Sequence, residues 1–163
     1  MADENSLNHL APGGEARMVN VAGKPVTRRR AIAEAIVRIG PDLEERLRLK
    51  GGLAKGNVLE TARLAGILGA KQTAALIPMC HPISIDAIEV ETTLQHQCVR
   101  IVTRILTEAR TGVEMEAMTA AALAALTVYD MVKSAGPGVE IGPIRLLEKE
   151  GGKSGPWVRG APP

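Results

Sequence analysis

The 163-residue sequence contains no phenylalanine, one tyrosine (Tyr129) and one tryptophan (Trp157), so its core has to be packed from aliphatic side chains. The scarcity of rings also argues against nucleic-acid binding. Single-strand binders stack bases on aromatic side chains, and duplex binders concentrate basic charge on one face, whereas the formal net charge here is +2. The one basic cluster, Arg28-Arg29-Arg30, is more ordinarily a solvated face than an anion clamp. Two cysteines, Cys80 and Cys98, are too few for a disulfide framework, and a reducing cytoplasm is the expected setting. The N-terminal MADENSLNHLAPGGEA is polar, so no signal peptide is expected.

With 45% hydrophobic and 23% charged residues, the chain suits a single folded domain. The expected boundaries are a flexible segment over 1–15, one domain over 16–150, and a flexible tail over 151–163, GGKSGPWVRGAPP.

The dominant stretch runs from Thr111 to Pro143. Between Ala117 and Val128 it carries no charge and is mostly Ala, Leu and Met, which are strong helix formers. A helix apolar on all sides must be covered on all sides, and this run is too short for a bilayer, which takes roughly 20 residues; no membrane association is expected. Charge returns only at the ends, with Glu114 and Glu116 in front and Asp130 and Lys133 behind. Their structural reading is ordinary. Thr111-x-x-Glu114 fits a capping box, Lys133 suits the helix dipole, and Gly136 is a natural left-handed stop. Charges bordering a dry helix are also where pKa values shift.

Along the chain, Met18–Ala22 reads as a short strand. Thr27 then caps a helix with Ile32, Ala35, Ile36 and Ile39 at helical spacing, stopped at Gly40-Pro41. A second helix spans Asp42 to about Leu49, followed by the glycine-flanked loop that carries Lys55. Asn57-x-x-Glu60 opens a longer helix toward Ile77, in which Gly66 and Gly69 imply close backbone packing. Pro78 ends it, and Met79-Cys80-His81-Pro82 makes a rigid corner. Ile83–Leu94 and Cys98–Leu106 read as a hairpin, with a phase shift near Ala87 that suggests a bulge. After the central helix, Val139–Leu147 reads as a strand in which Pro143 marks an edge or a second bulge. This order matches a split βαβ: α+β, with an antiparallel sheet and helices on one face.

Two familiar motifs fail on spacing. Cys80, His81, His96 and Cys98 lie within one hairpin, but adjacent residues rarely share a metal and no C-x-x-C is present. Gly151-Gly152-Lys153-Ser154-Gly155 lacks the leading glycine of a P-loop, having Leu147 instead, and lacks the following helix. The remaining acid/base and cationic candidates are Lys55, Lys133, His81, Glu114, Glu116 and Asp130.

The segments MVNVAGKPVTRRRA (18–31), KGNVLETARLAGILGAK (55–71), LIPMCHPI (76–83), TGVEMEAMTAAALAALTVYDMVK (111–133) and IGPIRLLEKEGGKSG (141–155) together resemble the cyclic pyranopterin monophosphate synthase (MoaC) family of molybdenum cofactor biosynthesis. The resemblance implies a ferredoxin-like subunit and a homohexamer, a trimer of dimers with active sites between subunits. It implies a lyase that converts 3′,8-cyclo-7,8-dihydroguanosine triphosphate to cyclic pyranopterin monophosphate and releases pyrophosphate. No resident cofactor is implied, with or without magnesium escorting the triphosphate. By the same resemblance Lys55 and Lys133 are catalytic, Cys80, His81, Glu114, Met115, Glu116 and Asp130 line the pocket, and Arg29 binds anions. Asp130, one helical turn from Lys133, is expected to set that lysine's charge state in catalysis, and Met79 to touch the substrate beside Cys80. Lys153 joins Arg29 and His81 as a phosphate contact. The chain has Asn20 and Asn57 where the family commonly has Asp. The reading from another class is a non-catalytic small-molecule-binding module, since this fold hosts many.

Overall fold

The structure, a computed structural model, describes residues 13–50, 57–136, 138–153 and 155–160. Lys55 and Ser154 lie outside the described residues. Strands β1 (Thr27–Arg38), β2 (Ala87–Gln95), β3 (Cys98–Ala109), β4 (Glu140–Glu150) and β5 (Trp157–Val158) form one antiparallel sheet in the order β2-β3-β1-β4-β5. The helices are α1 (Pro41–Lys50), α2 (Val58–Lys71), α3 (Thr73–Leu76) and α4 (Glu114–Val132). α4 packs on β1, β3 and β4, while α2 lies beside α4 and over β2. This is the expected α+β, ferredoxin-like arrangement.

Its first strand is not where the sequence placed it. Thr27 onward forms β1 rather than a helix, and Thr27 pairs with Ala109 of β3 instead of capping anything. Ala31, Ala33, Ala35 and Val37 alternate onto the helix face and are fully buried. They share the core with Ala117, Ala120, Ala121, Ala124 and Ala125 of α4. Alanine on both sides lets helix and sheet approach closely, and that packing overrides alanine's helix propensity. Met18–Ala22, expected as the strand, is irregular: Asn20 Oδ1 accepts the Ala22 N–H at 2.9 Å, and the Lys24 N–H reaches the Val21 carbonyl at 3.0 Å.

Elsewhere local chemistry reads through. Asn57 Oδ1 accepts the Glu60 N–H at 3.0 Å and caps α2. A Cβ on Gly66 would meet Val90 Cγ1 at 3.0 Å and the Ala120 carbonyl at 3.2 Å, and one on Gly69 would meet Leu123 Cβ at 3.0 Å. The two glycines thus set how closely α2 approaches β2 and α4. The helix expected to reach Ile77 breaks at Gln72, and α3 continues it. The hairpin turns at His96 and Gln97, with Gln97 at φ 53°. The phase shift near Ala87 is no bulge; β2 simply begins there, in unbroken register with β3.

Pro143 meets both of its expectations. Gly142 and Pro143 together stand against Ile36 in a bulge, and β5 pairs with β4 only at Glu148 and Lys149, so Pro143 lies on a free edge. Within the segment 151–163, a fifth strand is present. Trp157–Val158 pair with β4, Arg159 N–H reaches the Leu147 carbonyl at 2.8 Å, and the Arg159 guanidinium lies 5.5 Å from the Trp157 ring.

Glu114–Ala135 is long and apolar enough to cross a membrane by length and composition, with mean hydropathy 1.3. Its neighbours account for that character, since the sheet and α2 bury ten α4 residues. Coverage is nevertheless incomplete in the single chain: Met115, Leu126 and Tyr129 of α4 are exposed, as are Leu64 and Leu68 of α2.

Candidate functional site

The start of β1, the end of β3 and the end of β4 lie at one edge of the sheet, as the pairs Thr27–Ala109 and Ala31–Lys149 fix. α4 begins at this edge. The expected capping box does not form: Val113 is the N-cap, it makes no side-chain hydrogen bond, and the Glu114 carboxylate turns elsewhere. It folds back over Gly112, where a Cβ would overlap it, and Glu114 Oε1 lies 3.4 Å from Lys149 Nζ.

A cavity of about 240 Å³ opens here. The irregular segment contributes Val19, Val21 and Lys24, and the corner before β2 contributes Met79, Cys80 and His81. Thr111, Gly112, Glu114, Met115 and Glu116 complete the lining. Six of the residues singled out in the sequence therefore converge. Arg29 borders the same edge, on the helix side of β1 by alternation with Ala31 and Ala33, and the Gly151-Gly152 turn, which leads into Lys153, packs against it.

The electrostatics separate the cavity's groups. Glu116 is 3% exposed, and burial, reinforced by the charge of Glu114, pushes its pKa up against the pull of a backbone N–H. A carboxyl that gives up its proton late is suited to acid/base work. Burial also raises the Cys80 pKa, with Glu116 and Glu114 adding to it. Cys80 is thus a thiol near neutrality, able to donate a weak hydrogen bond but poor as a nucleophile.

Asp130 and Lys133 do not join this group. They sit at the far end of α4, both exposed, with Lys133 Nζ 2.6 Å from Asp130 Oδ1. The hydrogen bond from Lys133 to Asp130, then Asp130's charge, raises the lysine's pKa and keeps it a cation. Past them the helix ends in a 3-10 turn, Lys133–Ala135, and Gly136 has φ 156° and ψ 158° rather than the left-handed values expected. The placement of Lys55 lies outside the described residues.

The hairpin's possible metal ligands are split. His96 and Cys98 lie at the turn, and Cys80 and His81 lie by the cavity beyond the other end of β3, on the order of 35 Å away at strand rise. Among the described residues no group of three or more His, Cys, Asp or Glu side chains is placed to hold a metal ion. Lys153 follows a strand and precedes β5, not a helix, so its loop has no P-loop context.

Lys149 and Lys24 were missed by sequence reasoning. Lys149 follows a bulge: Ala33 pairs with Leu146 but Ile32 with Glu148, so Leu147 is extra and the phase flips. Simple alternation from Leu146 would turn Lys149 away from the helices; the bulge turns it toward Glu114. No local signal in the sequence announces that extra residue.

The MoaC family model matches residues 18–152. Among curated relatives, a protein of Thermomicrobium roseum is 52% identical over 155 residues, covering 94% of this chain and 93% of its own. One from Geobacter sulfurreducens is 51% identical, covering 94% and 97%, and one from Streptomyces avermitilis is 48% identical, covering 96% and 91%. All three carry the name cyclic pyranopterin monophosphate synthase. Matched from the irregular segment before β1 to the glycine turn after β4, at about half identity to full-length relatives, the chain belongs to the MoaC family.

Proposed function

We propose that this chain is a cyclic pyranopterin monophosphate synthase, converting 3′,8-cyclo-7,8-dihydroguanosine triphosphate to cyclic pyranopterin monophosphate and pyrophosphate. The observation that carries this reading is the cavity at the head of α4, where Cys80, His81, Glu114 and Glu116 converge in a chain about half identical to synthases over nearly its whole length. The rearrangement is redox-neutral. It opens and recloses C–N bonds, and a ribose oxygen displaces pyrophosphate as the cyclic phosphate forms, so it needs proton carriers and cations rather than an electron acceptor. Glu114 and Glu116 supply acceptors for the N–H edge of the base. Glu116, with its raised pKa, also exchanges a proton. Arg29, Lys149 and Lys153 form the cationic side that meets the phosphates, and His81 joins them as a hydrogen-bonding contact. No resident cofactor is needed; a divalent cation would arrive with the triphosphate.

Lys133 and Asp130 complete the reading only across a subunit boundary. From Glu116 to Lys133 along α4 is roughly 25 Å at 1.5 Å per residue, too far for one substrate to touch both. We therefore propose sites between subunits of a homohexamer, with Lys133 and its Asp130 partner from one copy serving the cavity of another. Exposed Leu64, Leu68 and Leu126 on the helices are apolar surface that such an assembly would cover. Lys55 is assigned to proton transfer by family resemblance. A cytoplasmic location suits the two free cysteines.

The test is turnover of the cyclic dihydroguanosine triphosphate, read as pyrophosphate release, by the parent, by Lys133→Ala, by Glu116→Gln and by the two variants unfolded and refolded together. Both variants alone should be inactive, and the mixture should regain about a quarter of parental activity through hybrid sites. An inactive mixture of correct mass would overturn the donation of Lys133 from one copy to the cavity of another. A correctly assembled parent that binds substrate without turnover would make the chain a binding module instead.

A further inference from the structure

Arg29 is held in an unusual way. Its neighbour Arg30 is fixed by Glu148 and Glu150, and Arg100 and Arg145 are fixed by Glu34. Among the described residues no carboxylate pairs with Arg29, and its Nε is buried without a hydrogen-bond partner. The other buried side-chain polar atom in that state among the described residues is Thr27 Oγ1, two residues earlier on the same face of β1. Buried unsatisfied groups are costly and rare. Both lie together where β1 meets the cavity edge and both are covered by protein, so no hydrogen bond at Nε fixes the direction of the Arg29 guanidinium.

Packing takes the role that an ion pair plays at Arg30, Arg100 and Arg145. Gly152, at φ 80°, lies so close to the Arg29 guanidinium that a Cβ on it would overlap Nη1 and crowd Cζ and Nη2. Gly151, at φ 96°, is different: its Cβ would strike the Arg28 carbonyl, which is backbone and cannot yield. The first glycine thus protects the chain path and the second protects the aim of one side chain. Gly155, three residues on, has a similar positive φ of 66° but nothing within 4 Å of an added Cβ.

We propose that Gly152 is a positioning residue for Arg29, seating the guanidinium flat against the turn so that its free edge meets the phosphates that leave as pyrophosphate. This rests on the function proposed above. It gives the GGKSG segment a role without a P-loop helix, because the turn works by omitting a side chain and not by wrapping the anion.

The experiment is a double-mutant cycle on the full-length protein, with inorganic pyrophosphate affinity read by calorimetry at fixed ionic strength and KM and kcat read on the cyclic triphosphate. Gly152→Ala should weaken pyrophosphate binding and raise KM about tenfold, the scale of one charge-assisted contact, with a smaller change in kcat. In an Arg29→Ala background the same substitution should change neither. Gly155→Ala carries the backbone strain alone and should leave pyrophosphate affinity at the parental value. Equal losses from Gly152→Ala with and without Arg29, or unchanged pyrophosphate affinity, would overturn the inference, as would a parent that does not bind pyrophosphate. A parent that binds pyrophosphate yet never turns over would overturn the proposed reaction alone, since the cycle is still read on affinity.

Discussion

Two buried glutamates separate what holds this protein together from what it keeps ready for chemistry. Glu34 is 4% exposed and Glu116 is 3% exposed, so each has lost nearly all of its water. Glu34 lies on β1, on the sheet face opposite α4. Arg100 donates to its Oε2 from Nη2 at 2.8 Å and Nε at 3.0 Å, and Arg145 donates to its Oε1 from Nη2 at 2.7 Å and Nε at 2.8 Å. Burial alone would raise its pKa, but the hydrogen bonds and charges of Arg145 and Arg100 outweigh that and hold it below the usual value. Glu116 has no ion pair among the described residues, and its pKa is raised. The same side chain at the same burial is a satisfied clamp in one place and an underused proton site in the other.

Swapping the consequences of their removal would break that comparison, and this carries the largest expected effects. Glu34→Ala leaves Arg100 and Arg145, each more than a third exposed, without their shared carboxylate and should cost about 1–3 kcal/mol of stability, read by denaturant unfolding, while any folded fraction keeps its KM. Glu116→Gln should fold at least as well as the parent and lose about 10²–10⁴-fold in turnover. If Glu116→Gln were the unstable variant, its carboxylate would be structural and the cavity would need another acid.

The pH dependence sharpens the contrast because the two shifts have opposite signs. Glu34 binds its proton less readily when folded, so its contribution is present above the unfolded pKa near 4.5 and is lost as pH falls through the lower folded value. Glu116 binds its proton more readily when folded, so its penalty is absent at low pH. That penalty grows as pH rises from the unfolded value through the raised folded one. Melting temperature against pH should therefore show the deficit of Glu34→Gln shrinking in acid, and the gain of Glu116→Gln growing on going from acid toward the raised pKa. Parallel curves for the parent and both variants would remove the distinction.

Only one of the two was legible as a site in the sequence. Glu116 stands in a charge-poor helix beside Glu114, and its position next to a dry run was visible from composition alone. Glu34 was hidden because the stretch RRRAIAEAIV (28–37), with its alanines and arginines, favours a helix locally, while its partners Arg100 and Arg145 lie 66 and 111 residues away. A burial pattern at every second alanine carries little hydrophobic contrast, so the strand period was the weaker signal. The order of elements is legible even so, because a strand reading of Met18–Ala22 puts one strand ahead of the helices, where β1 stands. The capping of α2 and the close packing at Gly66 and Gly69 are local matters, and they read through. The Leu147 bulge that aims Lys149, and the separation of Lys133 from the cavity, depend on register and helix length across the whole sheet and helix layer.

The smallest effect tests whether the charge of Glu116 is felt inside the cavity. Burial is the main cause of the raised Cys80 pKa, and Glu116 then Glu114 add to it, so Glu116→Gln should lower that pKa part of the way. Alkylation by iodoacetamide reports thiolate, and its rate at fixed pH near neutrality should rise a few-fold at Cys80. Cys98 sits at the hairpin turn far from the cavity and serves as the internal reference, expected to react at the same rate in both proteins. Glu34→Gln should leave Cys80 unchanged, since Glu34 lies on the opposite face of the sheet. An unchanged Cys80 rate in Glu116→Gln would mean that Glu116 already holds its proton at that pH. Repeating the rates from mildly acidic to alkaline pH distinguishes that state, because the two proteins would then diverge only above the pH at which Glu116 ionises.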